Sequence, residues 1–242
     1  MTLARGADFS SAQTGGEVSA VIRQGIHFAM VKATEGVHYT STAMRWQIGL
    51  LEANGVAAGL YHFLSPDVDG ADQWDYFEQW IGYSHPSGFV AVDHERDEHG
   101  VLPRDDIARA FIRRGHQRGY KVGRYGDNDV IRRNLGEDWT WAAWWSRTPP
   151  PFKWKLWQFS DGGGKQDWNV FNGDVAELER WLATLQRSHP AVRPKPLAKR
   201  WWLHDDFTKA ARGPFLLPRL AAAVVVYATR HPRTARLRLE RK

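Results

Sequence analysis

Short apolar runs, each closing on a polar or charged residue, recur along most of this chain, with helix-like stretches between several of them. That repetition constrains the fold more than any other feature. Strand and helix signals in alternation place successive strands parallel, because a crossover helix returns the chain to the same end of the sheet. The clearest run is Phe89-Val90-Ala91-Val92, preceded by Gly88 and followed by Asp93-His94-Glu95. Its length and its flanking turn residues predict a fully buried strand. Side chains alternate along a strand, so Asp93 and Glu95 share one face and His94 takes the other. Two carboxylates at the end of a buried strand are costly to place there, which marks a candidate site. The plainer reading is a strand that runs into a solvated acidic turn.

Other segments extend the pattern. Strands are predicted at residues 4–9, 26–31, 56–60, 122–125, 141–145 and 156–159. Helical spacing appears at 44–53, 71–80, 102–118, 128–135 and 174–186. Pro103 sits near the start of the longest of these, 102–118, and Gly119 just past its end. Asp174 is placed to cap the last helix. The helices thin out after about residue 135. The expected fold class is therefore α/β: an irregular (β/α) TIM-like barrel with a degenerate second half, plus a basic C-terminal extension.

The 242 residues suffice for one large domain and an appendage. The chain has no Cys, which excludes a disulfide framework and a Cys-based zinc site. The longest apolar run, residues 220–228, is too short to span a membrane. The first residues show no apolar stretch of the secretory kind, so no signal peptide is expected. Charge is uneven. From Arg187 onward there are 14 Lys/Arg and 3 Asp/Glu, so residues 1–186 are net acidic within a chain of +6. Three prolines and several basic residues near 190–196 read as a linker. The expected organisation is a catalytic barrel at 1–187, a Pro-rich basic linker at 188–198 and a basic tail at 199–242. The tail's charge points to an anionic wall polymer, a membrane surface or virion proteins as partners. No specific nucleic acid is expected. A poorly ordered solvated extension is the plain alternative.

Polar residues cluster after the predicted strands: Asp8, Lys32 and Glu35, Tyr61 and His62, Asp93 and Glu95, Tyr125, Gln158, and Asp167. In a parallel barrel these ends share one face and converge. Such a carboxylate cluster has three readings. Glycoside hydrolysis needs one protonated acid and one ionised partner, a division that crowded like charges promote. A divalent metal site would use Asp8, Asp93, Glu95, Asp167 and His62, but no ligand spacing of a known metal motif is present. A structural ion-pair network around Lys32 is the third and is compatible with the first. No metal and no cofactor are expected.

Specific motifs then add a resemblance. Asp8-Phe9-Ser10, Lys32-Ala33-Thr34-Glu35-Gly36, Gly59-Leu60-Tyr61-His62-Phe63, Asp93-His94-Glu95, Leu156-Trp157-Gln158-Phe159 and Asp167-Trp168-Asn169-Val170-Phe171 occur in order over roughly residues 4–182. Together they resemble glycoside hydrolase family 25, the Chalaropsis-type lysozymes. The resemblance implies an N-acetylmuramidase that cleaves the β-1,4 bond between N-acetylmuramic acid and N-acetylglucosamine in bacterial peptidoglycan. It implies Glu95 as general acid, Asp93 as its ionised partner, and Asp8 and Asp167 as the rest of the acidic set. Tyr61, His62, Tyr125, Trp144 or its neighbour Trp145, Gln158, Lys32 and Glu35 are expected to contact substrate or support those that do. A lytic enzyme without a signal peptide fits a bacteriophage lysin, made in the host cytoplasm and acting at the wall. The competing expectation is a non-catalytic wall-binding or virion structural protein that keeps the barrel.

Overall fold

The computed structural model describes residues 2–81, 89–164 and 166–185, together with the backbone of three strands beyond them. The chain divides into two compact units, residues 1–190 and 191–242. The first runs β1 (Arg5–Phe9), α1 (Gly15–Ile22), β2 (Phe28–Glu35), β3 (Tyr39–Thr40), α2 (Met44–Ala53), β4 (Ala57–Phe63), α3 (Gly70–Ile81) and β5 (Val90–Asp93). It continues with α4 (Asp105–Gln117), β6 (Val122–Gly126), α5 (Asn128–Ile131), β7 (Trp139–Ala143), β8 (Leu156–Ser160), a 3-10 turn at Gly162–Gly164, β9 (Asp167–Phe171) and α6 (Val175–Thr184). Eight strands close into a barrel in the order β1-β2-β4-β5-β6-β7-β8-β9, and β9 pairs back onto β1. Helices cross over between the early strands. Between β7 and β8 there is none, so the second half is reduced as the sequence pattern predicted.

One expectation changes in a way that matters for the site. The strands are not all parallel: β9 runs antiparallel to both β8 and β1. Only a tight Gly-containing connection separates β8 from β9, and a connection that short permits only an antiparallel pair. Asp167 therefore reaches the open rim from the beginning of its strand, whereas its partners reach it from strand ends.

Two apolar layers follow from alternation along the strands. Ala7, Val31, Leu60, Val90, Val92 and Val122 face the helices and pack on Val18, Leu51, Trp74, Phe77 and Phe111. Phe28, Met30, Phe89, Ala91, Trp139, Trp141, Leu156 and Phe171 fill the interior. Bulky interior rings require an absent side chain opposite. A methyl at Gly123 would overlap the Trp139 ring, and one at Gly6 would overlap Phe28. At the lower end α6 acts as a plug, with Trp181 against Phe89, Trp139 and Phe171 at 5.5, 5.3 and 5.3 Å between ring centroids. The upper end is left to polar side chains.

Element boundaries differ from the expected ones for identifiable reasons. Helix α1 is signalled by Thr14 and Glu17, which form a reciprocal capping box that the hydrophobic spacing alone did not reveal. The helix expected over 128–135 stops at Ile131. The buried Arg124 guanidinium donates to the Val130 and Arg133 carbonyls where the helix ends. Asp174 caps α6 as expected, accepting from the Glu177 amide at 2.8 Å.

In the second unit, β10 (Trp201–Asp205) lies between β11 (Ala210–Phe215) and β12 (Leu237–Arg241), antiparallel to both. Strands were not anticipated there. The linker expected at 188–198 and the apolar run at 220–228 lie outside the described residues. Among the described residues no helix is long and apolar enough to cross a membrane.

Candidate active site

The open rim is built by alternation. On β5, Phe89 and Ala91 face the interior, so Asp93 does too, while Val90, Val92 and His94 face the helices. His94 donates from Nε2 to the Pro103 carbonyl at 2.6 Å, away from the rim. On β1 the interior residues are Gly6 and Asp8; on β9 they are Asp167, Asn169 and Phe171. Asp8 and Asp167 face each other in register.

Asp8 is 7% exposed and is the best-partnered carboxylate of the set. Its Oδ2 accepts from Gln158 Nε2 at 3.0 Å and from Asn169 Nδ2 at 2.7 Å. Both amides are themselves oriented. Trp141 Nε1 donates to Asn169 Oδ1 at 2.7 Å. The Tyr125 hydroxyl and Trp145 Nε1 donate to Gln158 Oε1 at 2.8 and 3.0 Å. Burial pushes Asp8 up to about 6, held there against further rise by the hydrogen bonds from Asn169, Gln158 and Asp167. Asp167 is pushed up to about 7, by burial first and then by the charge of Asp8 beside it. Burial and mutual repulsion thus raise both carboxyls of the pair.

Glu95, one step beyond Asp93 and half-buried, is also pushed up to about 7 by burial; Lys32 opposes the rise while Asp167 and Asp127 add to it. Asp93 is driven well above the carboxylate range by burial and then by Glu95. Its Oδ1 has no hydrogen-bond partner among the described residues. The resemblance implied that Asp93 is the ionised member beside a protonated Glu95. Burial raises both carboxyls, and Asp93, the deeper of the two, is raised further by the charge of Glu95. Tyr61 and Tyr125, both raised well above 10 by burial and by the surrounding carboxyls, stay neutral.

The remaining expected residues separate into two groups. Lys32 and Glu35 form an ion pair at 2.7 Å, and Tyr61 packs its ring edge against Trp141 at 5.8 Å. These belong to the rim. His62 does not. Tyr61 faces inward, so alternation turns His62 outward, where it bonds Thr34 Oγ1 and Gln73 Oε1 at 2.8 and 3.0 Å and stacks on Phe111. Burial lowers it to about 4, so it is a neutral packing residue. Trp144 is also displaced: its Nε1 donates to the Thr148 carbonyl and its ring packs on Phe152. Trp145, 64% exposed, is the tryptophan that reaches Gln158. Asn169 and Trp141 were not anticipated, although Asn169 stands two positions from Asp167 and so had to share its face. Among the described residues no group of His, Asp and Glu has the geometry to hold a metal ion.

Crowding has a consequence for stability. Asp8, Glu95 and Asp167 bind protons more tightly folded than unfolded, where carboxyls titrate near 4. Their contribution is fully present below about pH 4 and is lost as pH rises through 6 to 7. Asp167→Asn, which removes a charge and keeps a donor toward Asp8, is expected to raise the melting temperature at pH 8 by about 2–4 °C. At pH 4 the difference should vanish. Calorimetry at the two pH values checks this, and an equal gain at both would show that charge is not its origin.

Comparison with known proteins agrees with this architecture. The family model described as glycosyl hydrolases family 25 matches residues 7–168. The sequence is 30% identical over 176 residues to an uncharacterized Escherichia coli protein, YegX, covering 65% of this chain and 63% of that one. It is 28% identical over 207 residues to lysozyme M1 of Streptomyces globisporus, covering 72% of this chain and 69% of that protein. A family GH25 lysozyme structure from Aspergillus fumigatus superposes with a TM-score of 0.65 at 26% identity, covering 75% of this chain and 99% of that one.

Proposed function

The chain belongs to glycosyl hydrolases family 25, and on that premise we propose that it is an N-acetylmuramidase that cleaves the β-1,4 bond between N-acetylmuramic acid and N-acetylglucosamine in bacterial peptidoglycan. One observation carries this reading: four carboxyl groups meet at one rim of a barrel whose other end is plugged, each with its pKa raised above the ordinary value by burial. Glycosidic cleavage needs a carboxylic acid that retains its proton near neutrality and gives it to the leaving oxygen. Glu95, at about 7 and less enclosed than Asp93, meets that need. Asp93 lies beside it with an unpartnered oxygen, placed to meet the substrate's acetamido group or the cation that develops at the sugar. Asp8 carries the standing negative charge, and its amide partners Gln158 and Asn169 hold it in place. Trp145 and the neutral phenols of Tyr61 and Tyr125 offer flat faces and donors to a sugar chain.

The setting we assign is lysis of a bacterial wall by a phage. The basic carboxy-terminal region, with 14 Lys/Arg against 3 Asp/Glu, would hold the protein to an anionic wall polymer, a membrane surface or virion proteins.

The decisive measurement is product analysis. Purified peptidoglycan incubated with the protein is expected to yield new reducing ends on N-acetylmuramic acid, identified by borohydride reduction and mass spectrometry. Wall binding without new reducing ends would favour the non-catalytic alternative, and reducing ends on N-acetylglucosamine would change the bond assigned.

A further inference from the structure

Strand β2 carries an irregularity next to the rim. Lys32 pairs with Tyr61 and Thr34 pairs with His62, so Ala33 is an extra residue in the ladder. In a regular strand Lys32 and Glu35, an odd number of residues apart, would face opposite sides. The bulge cancels that. Ala33 joins the outer apolar layer and Thr34 turns outward to His62. Lys32 and Glu35 are thereby brought to one side, where Nζ meets Oε2 at 2.7 Å. Glu35 is in register with Phe63, and Phe63 with Asp93, which sets the pair beside the acidic cluster. Bulges characteristically re-aim a side chain at such places.

The Lys32 ammonium is held on three sides. It lies 4.4 Å from the Phe63 ring centroid and 5.5 Å from that of Tyr39, with Glu35 as its hydrogen-bonded partner. Its side chain is only 17% exposed. The Glu35 side chain is 44% exposed, and an ion pair with one solvated partner contributes little to stability. Its electrostatic direction is clearer. Lys32 acts on both Asp93 and Glu95, favouring their ionised forms, and Glu35 acts on Asp93 in the opposite sense.

Resting on the muramidase reading, we propose that Lys32 is a positioning residue: it is the counter-ion for the carboxylate that Glu95 becomes when it gives its proton to the glycosidic oxygen, and Glu35 fixes the ammonium and divides its charge. The step balances within the site. The Oε–H bond of Glu95 and the glycosidic C1–O bond break together. The proton and the C1–O electron pair go to the leaving oxygen, the cationic C1 is taken by water or the substrate's acetamido oxygen, and the new Glu95 anion arises among carboxyls that repel it. The groups that act electrostatically with Glu95 are Asp8 from β1, Lys32 from β2, Tyr61 from β4, Asp93 from β5, Tyr125 from β6, Asp127 at the head of α5 and Asp167 from β9, with Glu35 bound to Lys32 and acting on Asp93. Lys32 supplies the positive charge among these.

The test compares Lys32→Met, Glu35→Gln and Lys32→Arg by two readouts. One is the pH profile of kcat/KM on soluble glycan. The other is 13C NMR titration of the Glu95 carboxyl in the free protein, which does not depend on turnover. Lys32→Met should move both the profile and the Glu95 titration upward by about one pH unit, as expected for loss of a nearby opposite charge. Glu35→Gln should move them downward, and Lys32→Arg should stay with the parent. If the titration is unmoved in the first two variants, or moves the same way in both, the assignment is overturned and the pair is structural. Should Lys32→Met fail to fold by circular dichroism, the downward shift in Glu35→Gln and the retained profile of Lys32→Arg carry the test. Opposed titration shifts in a protein that releases no reducing ends would sustain the electrostatic assignment and sink the hydrolase reading.

Discussion

Glu95→Gln is expected to lower the release of reducing ends from peptidoglycan by about 10²–10⁴-fold, the range associated with loss of a general acid. The substitution keeps size and hydrogen-bonding capacity and removes only the transferable proton. Glu95 is partly exposed at the rim, so its replacement leaves the packed interior intact. It also removes one of the negative charges that raise Asp8 and Asp93. The variant should therefore melt no lower than the parent at pH 7 and should still sediment with cell walls. Initial rates measured beside wall binding and melting temperature separate the chemical step from the rest. A variant that retained full activity would transfer the acid's role to another carboxyl, with Asp93 and Asp167 the next to examine.

The largest expected effect on stability comes from a residue outside the rim. Arg124 is fully buried on the outer face of β6, and Glu137, its partner at 2.7 Å, is 4% exposed. The same guanidinium donates to the backbone carbonyls of Val130 and Arg133. Glu137 in turn accepts from the Leu135 amide at 2.8 Å. One ion pair thus gathers the whole segment between α5 and β7. Arg124→Met would leave the buried Glu137 without its counter-ion and the Val130 and Arg133 carbonyls without their side-chain donor, at a cost of about 3–5 kcal/mol. Urea unfolding of the single variant measures this directly. Adding Glu137→Met should recover part of the loss, since a buried pair replaced by apolar groups is far less costly than half a pair. A loss under about 1 kcal/mol in the single variant would mean that the segment is held by other contacts. Activity should fall as well, because Asp127, which faces Glu95, heads the helix that Arg124 anchors.

Much of the rim could be read along the chain. The period-two alternation that separates Asp93 from His94 is local, and it held at every inward carboxyl of β1 and β5. The same rule, applied to Tyr61 and His62, separates those two as well, and His62 follows it into the helix-facing layer. Asn169 was within reach of the rule from Asp167. Trp144 and Trp145 were not, because they lie past the end of β7, where no ladder sets their direction.

What the chain determined by itself is seven of the eight barrel strands, the face that residues on regular strands take, and the gathering of carboxyls at one end of a barrel. These depend on periodicity and on residue type, which are properties of neighbours in sequence. The direction of β9, the bulge in β2 and the raised pKa values of the carboxyls were decided only by tertiary structure. Each depends on pairing between residues far apart in the chain: Asp8 with Asp167, Lys32 with Tyr61, and a carboxyl with the low-dielectric wall that surrounds it. A sequence can place Asp93 and Glu95 on one face, but the depth at which each is desolvated exists only once the barrel has closed, and that desolvation is the largest cause of the rise in both.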